Sequence, residues 1–135
     1  MSTRWLLTLA VATCAVAPIA AHAQGVPQVV IENDRLEPKW LETLTGARVN
    51  FINRTGHPVH LQFSGDIRQH EVVQIPATGP IWAIFHRPGT HPYVVHVYNR
   101  QTRALPGVVS VTTDETHKWE SGTCDVVVEG NCIAP

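Results

Sequence analysis

Histidine is the residue type through which this chain could do chemistry. The 135-residue sequence contains 8 histidines. An imidazole nitrogen can bind a transition-metal ion, and copper and zinc are among the metals that suit it. All but one of the histidines follow residue 24: His57, His60, His70, His86, His91, His96 and His117. Their number favours metal binding as the chemistry to test first.

Other kinds of chemistry have no comparable set of residues. The sequence contains no Ser-His-Asp set, Cys-His pair, phosphate-binding loop or close pair of carboxylates with good spacing. Asp66 pairs with His57 or His70 only at a chance level. We therefore predict that the protein is not an enzyme. The formal net charge of −1 also argues against nucleic acid as a partner.

The N-terminal stretch predicts export. Arg4 supplies a short positive region, residues 5–20 are apolar, and Ala21-His22-Ala23 forms a small-x-small cleavage site. We interpret residues 1–23 as a signal peptide that is cleaved after Ala23. The apolar run is too short for a membrane span. The protein is then periplasmic or secreted. Cleavage after Ala21 is a minor alternative, and it would leave His22 as an N-terminal copper chelator.

Two cysteines remain after the predicted cleavage, Cys124 and Cys132. In an exported protein an isolated pair usually forms a disulfide. The bond would close a short loop in the C-terminal tail and contribute roughly 2–3 kcal/mol on the chain-entropy model. A thiolate metal site is the rival interpretation, but no third soft ligand lies nearby.

The elements that must position the histidines are short strands. Residues 24–135 are the length of one domain. Apolar, β-branched segments alternate with Gly, Pro and Asn, which indicates an all-β sandwich with a core over about residues 29–112. Residues 99–105 are predicted to form a polar loop, and Trp40 and Trp82 are core candidates. The C-terminal extension, residues 113–135, is predicted to add an edge strand pinned by the disulfide.

The alternation of side chains sorts the histidines by face. On the strand predicted over 57–63, His60 and Gln62 alternate with apolar residues and point outward. His57 falls on the inward side, at the end of that strand. On the strand predicted over 92–98, His96 lies on the face opposite Val95. If Val95 points into the core, His96 points outward.

Several segments of the chain, and the order in which they follow one another, resemble the cupredoxin family of small copper proteins. Pro88-Gly89-Thr90-His91-Pro92-Tyr93 is similar to the family's Pro-Gly-Thr-Tyr-x-Tyr run, and a Val-x-Phe-x-Asn segment, a His and a Gly-Val-Val-x-Val segment stand in the expected places. The resemblance covers about residues 29–112 and implies a Greek-key β-sandwich. Residues 57–63 also look like the His-Pro-x-His-Leu-His segment of multicopper oxidases, with Gln62 in place of the last His.

The resemblance stops at the copper ligands. A type 1 copper site uses two His, one Cys thiolate and a weak axial ligand. Laid on the family pattern, the Cys falls on Val95, the next His falls on Tyr98, and the axial Met falls among non-ligands around Ala104-Leu105. His57 matches the first His. The resemblance therefore implies no blue copper centre, and electron transfer by that route is not expected.

The same resemblance points to a different copper site. It implies that the strands of His60 and His96 are neighbours, and multicopper oxidases use the equivalent outward histidines for copper held between domains. We predict a thiolate-free copper site on His60 and His96, with His57 near the same end. A loop, a second subunit or a periplasmic partner would complete it. Because His57 is predicted on the face opposite His60 and His96, it is hard for all three imidazoles to reach one ion.

A metal-free interpretation stays open beside this one. His60 and His96 would then be solvated residues on a strand face, and His57 would close the end of the sandwich through a backbone hydrogen bond. The domain would serve as an interaction module that binds a periplasmic partner. In either case we expect His70, His86 and His117 to be surface or turn residues with no shared site.

Overall fold

The structure of the protein is a computed structural model that describes residues 25–63, 72–77 and 80–134. The predicted signal peptide, His22, Asp66 and His70 lie outside the described residues. Within them the regular elements are β-strands, which confirms the all-β prediction. The strands are β1 (Gln28–Ile31), β2 (Leu36–Glu37), β3 (Trp40–Leu44), β4 (Arg48–Asn53), β5 (Val59–Phe63), β6 (Val72–Ile75), β7 (Pro80–Phe85), β8 (Gly89–Tyr98), β9 (Thr102–Thr112), β10 (Val126–Val128) and β11 (Asn131–Ala134).

The strands form two sheets packed face to face. One sheet has the order β11-β10-β7-β4-β1-β2, and the other has the order β3-β9-β8-β5-β6. The pairs β1–β4 and β3–β9 are parallel, and the remaining pairs are antiparallel. The chain crosses from sheet to sheet, as it does in a Greek-key sandwich, so residues distant in sequence meet on one surface.

The core comes from the inward-facing residues of both sheets. Burial alternates along β4, β5, β7 and β8, because successive side chains point to opposite faces. The Phe51 and Tyr93 rings meet edge to face with centroids 5.5 Å apart, and the Phe63 ring lies beside them. A Cβ at Gly107 would overlap the Tyr93 ring. This packing fixes β8, and with it the side chains that β8 sends outward.

Strand β9 begins earlier than the sequence predicts. The polar segment 99–105 was expected to be a loop, but β9 starts at Thr102 and pairs with β8 from Tyr98 down to Gly89. The prediction was wrong because this part of the hairpin is exposed, so its sequence carries no apolar alternation. A short turn remains, where the Asn99 side chain accepts a hydrogen bond from the Arg100 backbone N–H.

The C-terminal extension adds β10 and β11 to the edge of the first sheet, next to β7. The predicted disulfide is present between Cys124 and Cys132, with a Cα–Cα distance of 5.8 Å. Val126 and Val128 are buried against the core. The predicted edge strand and its disulfide are both confirmed. None of the described residues forms a helix long and apolar enough to cross a bilayer.

Both tryptophan predictions were wrong. Trp40 is 53% exposed, because β3 is an edge strand and turns Thr43, not Trp40, toward the core. Trp82 lies on the outer face of β7, where the Arg48 guanidinium stacks over its ring at 4.6 Å. Large aromatic side chains can pack on an outer face beside a cation, so size alone does not assign them to the core.

Candidate metal-binding face

His60 and His96 face each other across two neighbouring strands. Strands β5 and β8 are antiparallel, and His60 stands directly opposite His96 in their register. Residues in such positions have Cβ atoms about 4.5–5.5 Å apart. Both side chains are half-buried, and Val95 beside His96 is fully buried, as the parity prediction requires. The two imidazoles therefore leave the sheet side by side on its outer face.

Gln62 orients the His96 ring. The His96 Nε2 atom lies 3.0 Å from Gln62 Oε1. Because an amide oxygen only accepts hydrogen bonds, this contact requires a proton on Nε2, and in the neutral ring Nδ1 then has the lone pair. A metal-binding histidine commonly donates its second ring N–H to a carbonyl or carboxylate in this way. Gln62 stands where the resembled oxidase segment has a histidine, and it supports a neighbouring ring instead.

Tyr98 borders the same pair of rings. Its ring centroid lies 4.9 Å from that of His60, edge to face, and 6.5 Å from that of His96. The side chain is 48% exposed, so Tyr98 borders the pair at the surface of the sheet. The roles of Gln62 and Tyr98 were missed in the sequence, although the alternation of side chains placed Gln62 on the same face as His60.

His57 does not lie where parity placed it. Strand β5 begins at Val59, so the alternation does not extend to His57, which is exposed in the preceding loop. Its backbone carbonyl accepts hydrogen bonds from Asn53 Nδ2 at 2.6 Å and Thr55 Oγ1 at 2.8 Å. The expectation that its side chain shares the inward face was wrong. Its assignment as a metal ligand stays a prediction.

The described residues contain no group of three or more His, Cys, Asp or Glu side chains placed to hold one metal ion. The structure thus brings His60 and His96 together as a pair and does not bring His57 to them as part of a larger cluster. A metal ion on this face would take two protein nitrogens. Its other positions would stay open to water or to a partner.

The position that the resemblance gives to a copper-binding Cys does not fit that role. Val95 and Val97 are buried in the core, and Val95 stands opposite Leu61 in the register of β5 and β8. An aliphatic side chain offers no lone pair to a metal. These residues therefore do not fit a thiolate-bound copper, and the chemistry of the fold's usual centre is not assigned to this chain.

Two histidines that were expected to be unrelated also meet. His86 Nδ1 lies 2.9 Å from His117 Nε2, a contact that the sequence did not predict. His86 follows β7 and His117 lies in the C-terminal extension, and no periodicity in the sequence connects them. Nearby, His91 Nε2 bonds the Arg87 carbonyl oxygen at 2.8 Å, and the His91 ring packs beside Phe85.

Comparisons with known proteins identify the fold. No family model matches the chain, and no curated protein matches it. Among solved structures, a purple cupredoxin from Nitrosopumilus maritimus is 17% identical with a TM-score of 0.50, over 64% of this chain and 99% of that one. A reduced proline-to-phenylalanine variant of amicyanin is 22% identical with a TM-score of 0.52, over 69% of this chain and 88% of that one. A methionine-to-alanine amicyanin variant with Cu(I) is 21% identical with a TM-score of 0.50, over the same shares.

Proposed function

From its cupredoxin-like fold and its paired imidazoles, we propose that this chain is an exported protein that binds and carries copper through His60 and His96. The observation that supports the proposal is the direct cross-strand pairing of these two residues on the outer face of the sheet. Imidazole nitrogen is a donor that suits copper. Copper is here the cargo of the protein, not a resident cofactor.

The donor set favours carriage over catalysis. Two imidazoles would hold an ion from one side, and the hydrogen bond from His96 Nε2 to Gln62 leaves Nδ1 of the neutral ring as the nitrogen available to the ion. The remaining positions are open to water, to a second subunit or to a periplasmic protein. An incoming ligand can therefore reach the ion without first opening the fold. We propose that the protein is not an enzyme.

The absence of a thiolate sets the expected properties of the bound ion. Intense blue absorption comes from a copper–thiolate bond. With a valine at position 95, bound Cu(II) should give a weak d–d band only. The same composition argues against single-electron transfer through a type 1 centre.

Export is part of the proposal. The N-terminal residues have the pattern of a signal peptide. The Cys124–Cys132 disulfide supports an oxidising compartment, because such bonds persist outside the cytosol. A periplasmic location also fits a copper carrier, since the ion would be collected and handed on there.

A metal-free interaction module is the second candidate. Trp40 and Leu44 are 53% and 48% exposed on the edge strand β3. Exposed apolar residues on one edge can mark a contact surface for another protein. On this alternative the domain folds normally and binds no copper tightly, which separates it from the first candidate.

Copper titration of the full chain, made without a histidine tag, tests the proposal. The number of tightly bound copper ions per chain should fall by one in the His60→Ala, His96→Ala double variant. His91→Ala is the matched control, because its ring bonds a backbone carbonyl and should not contribute. An unchanged copper count in the double variant would refute the site.

A further inference from the structure

A second pair of imidazoles lies at the opposite end of the sandwich from Tyr98. His86 directly follows β7, and His117 reaches it from the C-terminal extension. The ring nitrogens are 2.9 Å apart, and the ring centroids are 5.1 Å apart at an interplanar angle of 29°. Strand β8 starts at Gly89 near this pair and runs seven residues to His96, a distance of roughly 23 Å at about 3.3 Å per residue. The two pairs are therefore separate.

The turn at Thr45 and Gly46 positions the His117 ring. The ring lies against Gly46, where an added Cβ would come within 2.7 Å of His117 Cγ and Cδ2. Gly46 also has a φ of +76°, a conformation that favours glycine. The Thr45 hydroxyl donates a hydrogen bond to the His117 carbonyl at 2.8 Å. The turn between β3 and β4 thus holds both the backbone and the ring of His117.

His86 is held from the other side. Its backbone N–H donates to the Asp125 carbonyl at 2.8 Å, so the residue is tied to the extension just before β10. The side chain is half-buried. Burial, and then the charge of His117, lower the pKa of His86 below its ordinary value.

The spacing of the two nitrogens fits adjacent positions on a metal ion. With metal–nitrogen bonds of about 2.0–2.1 Å, a separation of 2.9 Å subtends an angle of about 90° at the ion. Cu(II) and Ni(II) prefer such tetragonal arrangements of N and O ligands. The ion would replace the proton that now lies between the two nitrogens. That proton leaves for solvent, the same ring takes up a proton on its other nitrogen and stays neutral, and both rings would tilt to converge on the ion.

Water would supply the remaining ligands of the ion. A cleft of about 220 Å³ opens between His117 and the turn that joins β3 to β4. The described residues supply no third His, Cys, Asp or Glu ligand. The cleft is lined by Leu44, Thr45, Gly46, Ala47, Asp114 and His117.

We propose that His86 and His117 form a second metal site, for a divalent ion of tetragonal preference such as Cu(II) or Ni(II). The bound ion joins the C-terminal extension to the sandwich through one ligand from each. The site stands on its own geometry and does not depend on the His60–His96 pair.

Nickel binding in a chain that lacks the other pair tests this site. The parent is the full chain with His60→Ala and His96→Ala, made without a histidine tag and titrated with Ni(II) alone. We expect one ion per chain, and an affinity at least tenfold lower when His117→Gln is added. His91→Gln in the same parent is the matched control and should bind as the parent does. Equal binding after His117→Gln, or no binding by the parent, would overturn the proposal.

A measurement on the parent alone covers the case in which His117→Gln fails to fold. Chemical modification of histidines, mapped by mass spectrometry, is compared with and without Ni(II). His86 and His117 should become protected while His91 stays equally reactive; equal modification of all three with and without Ni(II) contradicts the site. Failure of the copper proposal is recognised separately, by a copper count that does not change when His60 and His96 are replaced.

Discussion

Replacing Gln62 by leucine removes the hydrogen bond that orients the His96 ring. The bond joins Gln62 Oε1 to His96 Nε2 over 3.0 Å in a half-buried position. Without it, the ring can rotate and its proton can move to Nδ1, the nitrogen that we expect to bind copper. Loss of such a supporting partner typically lowers metal affinity about 10–100-fold. That range corresponds to about 1.4–2.7 kcal/mol of binding free energy.

The assay is a competition titration of copper against a chelator of known affinity. Gln62→Glu should retain most of the affinity, because a carboxylate accepts the same hydrogen bond. Gln74→Leu is the matched control, since Gln74 stands opposite His60 on β6 and bonds neither ring among the described residues. The reasoning is refuted if Gln62→Leu binds copper as tightly as the native chain, or loses no more affinity than Gln74→Leu does.

Three further predictions concern the scaffold. Burial raises the pKa of Tyr93, so an alkaline absorbance titration should show that Tyr93 stays protonated until the protein unfolds. Because an unfolded tyrosine ionises near pH 10, the free energy of unfolding should fall above that pH by up to about 1.4 kcal/mol per unit; ionisation of both tyrosines before unfolding would contradict this. Gly107→Ala should lower the free energy of unfolding by about 1–3 kcal/mol in urea, since its Cβ overlaps the Tyr93 ring, and an unchanged midpoint would count against that packing. Replacing Cys124 and Cys132 by serine should cost about 2–3 kcal/mol and speed hydrogen exchange in β10 and β11, whereas unchanged exchange there would show that the disulfide does not hold the extension.

The sequence correctly predicted the β-sandwich and the outward placement of His60 and His96. Apolar alternation along β5 and β8 placed His60 and His96 outward, because the period of two is strong wherever one face of a strand is buried. The resemblance to a known family then supplied which strands are neighbours. The disulfide and the added edge strand followed from an isolated cysteine pair next to a run of valines.

What the sequence could not predict depends on contacts without periodicity. His117 meets His86 because a loop of the extension packs against Gly46. Neither the path of a loop nor its contact with a glycine produces an apolar periodicity in the sequence. His57 was placed on the wrong side because alternation was extended past the first residue of β5. Trp40 was a core candidate, but its strand lies at an edge of the sheet.

The most direct test of copper binding through His60 and His96 isolates that pair. The full chain with His86→Gln and His117→Gln is loaded with one equivalent of Cu(II) and studied by electron paramagnetic resonance and visible absorption. We expect hyperfine coupling to two imidazole nitrogens and a weak d–d band, and both should vanish when His60→Ala and His96→Ala are added. Intense absorption at about 600 nm, typical of copper–thiolate bonding, or a spectrum unchanged by those two substitutions, would contradict the account.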